Sequence, residues 1–186
     1  MNTPDARLII AASETDADLY YATDFLAPDP FIFLQTPSKK YLLMSNLEID
    51  RARSQAKVDQ ILSLSHYQEQ AKQGGVENPS SLETLQALLQ ELELHSFEVP
   101  CTFPIEGADF LREKGYEVSF PKGSFFPERE CKTPEEIARI REVQQYTEAA
   151  MDAAIQTIAA STVQDGLLHH NSTPLTSEAV KNRIAL

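Results

Sequence analysis

Residues 131–158, CKTPEEIARIREVQQYTEAAMDAAIQTI, spell one uninterrupted helix with a defined start. Thr133 is placed to cap it, Pro134 fits the first helical position, where its missing N–H costs nothing, and Glu136 stands three residues after the cap to close a capping box. Glu135 and Glu136 also suit the positive end of the helix dipole, so capping accounts for this acidic pair without catalysis. Beyond the cap, Ile137, Ile140, Val143, Thr147, Ala150, Met151, Ala154, Ile155 and Ile158 recur at spacings of three and four. About 27 residues at 1.5 Å each give a rod of roughly 40 Å. Its apolar stripe needs a substantial partner, because tertiary packing supplies most helical stability. The 28 residues that follow, with a second helix expected in LTSEAVKNRIAL capped by Thr176 or Ser177, are a small partner for so long a stripe. The long helix therefore reads as the beginning of a unit.

The residues before it carry alternating strand and helix signals. ARLIIAA (6–12) is an aliphatic strand, and PFIFLQT and KKYLLMS form a hairpin about Pro37-Ser38. DLYYATDF (18–25) suits a strand or its exit loop. Ser45 and Glu48 have capping-box spacing before a short helix, and KVDQILSLS (57–65) reads as another strand. HYQEQAKQGG is a helix stopped at Gly74-Gly75; Ser80 and Glu83 repeat the capping box before LETLQALLQELEL, whose leucines at 82, 85, 88, 89 and 92 share a face. FEVPCTFP is extended, GADFLREKG is a helix closed by Gly115, and YEVSF is a last strand. Interleaved strands and helices predict an α/β domain with a mixed β-sheet flanked by helices over 1–128, and the long helix then opens a second domain over 129–186. PKGSFFPERECKTPEE (121–136), with three prolines and a glycine, reads as the linker.

Charge narrows the partners. Lys and Arg number 16 against 28 Asp and Glu, a net −12, and a surface this acidic repels phosphate backbones and anionic lipid. Neither nucleic acid nor a membrane surface is expected to bind. No apolar run reaches the roughly 20 residues of a membrane span, and MNTPDARLII lacks the pattern of an export signal, which predicts a cytoplasmic protein. In that compartment Cys101 and Cys131 are expected as free thiols.

The residues alone reveal no active site. His66, His95, His169 and His170 belong to no His-Glu-x-x-His or Cys-x-x-Cys arrangement, and the adjacent pair in DGLLHHNSTP reads as a solvated loop. Nucleophile elbows, phosphate loops and Gly-x-Gly-x-x-Gly are missing from the sequence. Tyr20-Tyr21 reads as half core and half surface.

Three segments carry a resemblance. PERECKTPEEIARIREVQQYTEAAMDAAI resembles the junction of the pita-bread metallohydrolases (creatinase, prolidase and aminopeptidase P), where an Arg, a Lys-Ser/Thr-x-x-Glu-Ile and an Ile-Arg-x-Ala open the catalytic domain's first helix. Arg129, Lys132, Thr133, Glu136, Ile137, Ile140 and Arg141 match, with Val143 where a small residue is common. PLTSEAVKNRI is similar to the Leu-Thr-Glu-x-Glu opening of that domain's second helix. ETDADLYYATDFLAPDPFIFL is similar to the amino-terminal segment Asn-Ile-x-Tyr-Leu-Thr-Gly-Phe: Tyr21, Thr23 and Phe25 match, and Asp24 stands where glycine is usual.

The resemblance implies a creatinase-like amino-terminal domain and the first helices of a catalytic domain truncated at Leu186. It implies a parent that hydrolyses peptide bonds preceding proline with two divalent metals (manganese, cobalt or zinc). The two aspartates, one histidine and two glutamates that hold them are expected downstream, so this chain by itself is expected to contain no metal ligand, no cofactor and no catalysis. It further implies a homodimer whose amino-terminal domain covers the peptide cleft, with Tyr21, Thr23, Asp24 and Phe25 as the substrate-proximal loop; the alternative is that the loop only closes a strand. A stand-alone dimerisation or binding module, and the amino-terminal domain of a creatinase-type amidinohydrolase, remain open beside this reading.

Overall fold

A computed structural model of the chain describes residues 3–184. The chain divides into two compact units, one ending at Arg129 and one beginning at Glu130.

The first unit is built on a six-stranded mixed sheet. Its strands are β1 (Ala6–Ala11), β2 (Phe31–Gln35), β3 (Lys40–Met44), β4 (Gln60–Ser63), β5 (Ser96–Glu98) and β6 (Glu117–Ser119), in the order β4-β3-β2-β1-β5-β6. β2 is antiparallel to both of its neighbours, with Leu8 opposite Leu34 and Leu34 opposite Tyr41, while β4, β5 and β6 join in parallel. The helices are α1 (Ala17–Thr23), α2 (Ile49–Gln55), α3 (Leu64–Gln73), α4 (Ser81–Glu91) and α5 (Ile105–Glu113).

Side chains alternate across a strand, so an aliphatic run such as FIFL must feed two cores. Ala6, Leu8, Ile32, Leu34, Tyr41 and Leu43 pack on one face with Tyr67 of α3, Leu85, Leu88 and Leu89 of α4 and Leu111 of α5. Ile9, Phe31, Phe33, Leu42 and Met44 pack on the other with Leu19 and Ala22 of α1, Ala52 of α2, and Phe125 and Phe126. The central strands are thus covered on both sides. The expected mixed α/β architecture is the one observed.

Four local expectations need correction. Residues 18–25 form no strand: Asp16 accepts a hydrogen bond from the Leu19 amide and caps α1, which buries Leu19, Ala22 and Thr23 at helical spacing. Ser45 and Glu48 make no capping box, since Glu48 itself occupies the cap position and its carboxylate turns to Arg51. The strand at 57–65 shrinks to 60–63, because α3 begins at Leu64. The stretch 121–136 is more than a linker, for Phe125 and Phe126 are core residues and a 3-10 turn covers Pro127–Glu130.

The second unit starts with α6 (Pro134–Ala159), 26 residues long, with the Thr133–Glu136 capping box formed and Pro134 in the first turn. A three-stranded antiparallel sheet follows, from β7 (Thr162–Gln164), β8 (Leu167–His170) and β9 (Thr173–Pro174). α7 (Ser177–Ile184) closes it, with the Thr176 hydroxyl accepting from the Ala179 amide. His169 and His170 accordingly lie in a strand, opposite Pro174 and Thr173. The reason is two tight turns: Asp165-Gly166 and Asn171-Ser172 all have positive φ, the geometry of two-residue hairpins.

Candidate functional site

The end of α1 and the chain leaving it, residues 20–27, form the candidate site. α1 terminates at Asp24, which sits in the left-handed region at φ 50°, ψ 28° and donates its amide to the Tyr20 carbonyl at 2.7 Å. This is the conformation that glycine adopts without cost and that Asp tolerates better than most residues. Asp24 thus ends α1 in a conformation that favours glycine. Its carboxylate gains an ion pair, Oδ2 lying 2.7 Å from Lys57 Nζ, that glycine could not make.

Three further contacts from basic residues close around the loop. Lys40 Nζ donates to the Ala22 carbonyl at 2.9 Å, and the Lys57 amide donates to the Thr23 carbonyl at 2.7 Å. These two bonds satisfy carbonyls in the last turn of α1, where helical partners run out. Arg51 donates from Nη1 to the Leu26 carbonyl at 2.8 Å, with its guanidinium carbon 4.3 Å from the centre of the Phe25 ring. Sequence patterns do not single out Lys40, Arg51 or Lys57, which come from β3, from α2 and from the segment after α2. Long-range pairing of this kind has no local signature.

The four residues expected in the loop divide by role. Thr23 is fully buried; its hydroxyl donates to the Leu19 carbonyl at 2.8 Å and accepts from the Phe25 amide at 3.3 Å. Phe25 is fully buried against Phe31, edge to face at 6.0 Å. Asp24 is half-buried, with Lys57 on its carboxylate. Tyr21 is exposed along one side and meets Phe126 at 5.7 Å on the other. Of the four, Tyr21 and Asp24 are the ones with polar side chains at the surface, and Tyr20 and Leu26 are exposed alongside.

Arg129, the first residue of the junction pattern, reaches the same helix. Its guanidinium pairs with Asp18 of α1 and lies 5.7 Å from the centre of the Tyr21 ring. Among the described residues, no group of three or more His, Cys, Asp or Glu side chains is placed to hold a metal ion, so the residues present do not fit a metal centre. Cys101 and Cys131 are both exposed and free. Among the described residues, no helix is long and apolar enough to cross a membrane.

This architecture, a mixed sheet layered by helices and followed by a capped long helix, is similar in fold to parts of solved Xaa-Pro peptidases. The X-Pro aminopeptidase of Thermotoga maritima MSB8 superposes with a TM-score of 0.65 over 86% of this chain, at 15% identity. The Xaa-Pro dipeptidase of Bacillus anthracis gives 0.65 over 97% at 14% identity, and the prolidase of Pyrococcus horikoshii OT3 gives 0.59 over 83% at 19% identity. The chain covers 42%, 43% and 39% of these three proteins respectively, about two-fifths of their length. No protein-family model and no curated protein matches the sequence.

Proposed function

We propose that the unit ending at Arg129 is the non-catalytic amino-terminal domain of a metal-dependent Xaa-Pro peptidase, and that α6 begins the catalytic domain. The observation that carries this is the fold likeness, which runs through the sheet and onward into the second unit while spanning about two-fifths of each peptidase. In this reading the metal-holding carboxylates and histidine belong to the rest of the parent protein. Activation of water is the chemistry that a manganese, cobalt or zinc pair supplies there. This chain's residues bind and orient. The unit contributes to a homodimer and covers the cleft, with the surface of Tyr21 and Asp24 turned to the peptide and Thr23 and Phe25 holding the loop's shape from below.

The test is direct. The 186-residue protein, loaded with manganese or cobalt and offered an Xaa-Pro dipeptide, is expected to release no proline; turnover at this length would overturn the proposal. In the parent enzyme, Tyr21→Ala is expected to raise KM with little change in kcat, because a residue of the cleft cover acts on binding and not on the reacting bond. Sedimentation equilibrium checks the homodimer, and a monomer at micromolar concentration would remove that part.

A further inference from the structure

The loop of the candidate site leaves α1 at Asp24 and is fastened again at Ala27. The Ala27 amide donates to the buried Ser13 hydroxyl at 2.8 Å, and its carbonyl accepts from the Glu14 amide at 3.3 Å. Phe25 and Leu26, between these points, belong to no helix or strand, so their course depends on what side chains hold them. One arginine meets both residues. The Arg51 guanidinium carbon lies 4.3 Å from the centre of the Phe25 ring, and Nη1 donates to the Leu26 carbonyl at 2.8 Å.

α2 prepares that guanidinium. Glu48, three residues before Arg51, accepts with Oε2 from Nε at 2.8 Å and from Nη2, and Gln55, four residues after, accepts from Nη1 at 3.3 Å. Spacings of three and four bring these side chains together on the helix surface. The guanidinium is planar and carries its five donors in a fixed fork. One edge can therefore serve Glu48 while Nη1 serves Leu26 and the face covers the Phe25 ring. A lysine ammonium, a point charge on a flexible stem, has neither the fork nor the face. The other basic residues act elsewhere on the loop. Lys40 holds the Ala22 carbonyl, and Lys57 pairs with Asp24 through a side chain that is 67% exposed, a kind of contact worth little.

We propose that Arg51 is the positioning residue of this loop. It fixes the backbone at Leu26, closes over the buried Phe25 ring, and so presents the half-exposed Leu26 side chain in one preset arrangement on the loop that carries Tyr21 and Asp24. A loop already held in one conformation pays less ordering entropy when a ligand binds. The use of this pin in peptide binding rests on the cleft-cover reading under Proposed function; the pin itself rests on contacts within the first unit.

Backbone ¹⁵N relaxation on the full chain tests the pin. In the unsubstituted chain the amides of Phe25 and Leu26 are expected to show the order parameters of the sheet, about 0.85, and Arg51→Ala should bring them toward about 0.6 while leaving β1–β3 unchanged. Arg51→Lys, which keeps the charge but not the fork, should loosen the same two amides and decides the matter if Arg51→Ala unsettles α2. Unchanged order at 25–26 in both variants, or a loosening no greater there than in β1–β3, would overturn the proposal. In the parent enzyme either variant is expected to raise KM for an Xaa-Pro peptide by about threefold to tenfold with kcat unchanged. A loosened loop with KM unmoved would support the pin and remove the cleft-cover reading instead.

Discussion

The two units place their apolar residues in opposite ways. In the first, Leu8, Phe33, Leu42, Leu85, Phe97 and Leu111 have no accessible surface at all. In the second, Ile140, Val143, Met151 and Ile155 of α6 are each more than half exposed. Composition cannot explain the difference, since both stretches carry aliphatic residues at the period of their element. Partners explain it. A sheet with helices on both faces buries all but one position in each of β2 and β3, whereas α6 has one short three-stranded sheet and one eight-residue helix in its own unit. Helix formation and helix burial are therefore separable here: α6 is well started by its cap and poorly covered along its length.

That comparison can be broken most readily by truncating one residue in each unit. Phe33→Ala is expected to destabilise the first unit by about 3–5 kcal/mol, the ordinary cost of emptying a fully buried aromatic site. Ile155→Ala should change stability by no more than about 0.5 kcal/mol, as for a surface substitution. Urea midpoints for the two variants measure both, and equal effects would show that α6 is covered after all.

The caps sharpen the comparison at intermediate size. Ser80 of α4 and Thr133 of α6 form the same box with Glu83 and Glu136. Substitution of either by alanine removes a cap worth about 1 kcal/mol. Ser80→Ala should lower the midpoint of the first unit's cooperative transition, because α4 is packed into it. Thr133→Ala should only fray the start of α6, seen as lost helical ellipticity in the far ultraviolet. Acid acts on both caps together. The Ser80 and Thr133 amides hold the Glu83 and Glu136 carboxyls below the usual carboxylate range. A carboxyl depressed in the folded state stabilises it above the unfolded pKa of about 4.3 and ceases to do so as pH falls through the folded value. Both helix starts should hold at about pH 5 and weaken on titration to lower pH; weakening on titration upward would contradict the assignment.

The smallest effect is expected at the candidate loop. Asp24→Gly relieves a non-glycine residue in left-handed geometry but removes the pair with Lys57, an exposed contact worth about 0–1 kcal/mol. The two effects oppose, and the variant should lie within about 0.5 kcal/mol of the parent chain in a urea titration. Asp24→Val, β-branched in the same geometry, should be clearly less stable.

What can be read from the sequence follows the range of the interactions. The capping boxes at Ser80 and Thr133, the β2–β3 hairpin and the α4 leucine face are legible, because spacings within one element encode them. α1 is obscured by the β-propensity of its tyrosines and threonine, although Asp16 ahead of Leu19, Ala22 and Thr23 carries the helical signal. The hairpins of the second unit have their mark in plain view, since Asp165-Gly166 is the dipeptide such turns favour. The short strands around it lack the alternating pattern that would make the mark decisive. The surroundings of the loop are illegible for a different reason. Lys40, Arg51, Lys57 and Arg129 are all remote in sequence from Tyr21 and Asp24, and no pattern near residue 24 announces partners that only the tertiary fold delivers.

Hydrogen exchange on the whole chain in a strictly monomeric sample tests the contrast between the units most directly. Amides of β1, β2, β3 and α4 are expected to exchange only through global unfolding, while those from 160 to 184 exchange through local opening orders of magnitude faster. Strong protection across 160–184 in that monomer would contradict the account, because it would show that the second unit is as firmly packed as the first.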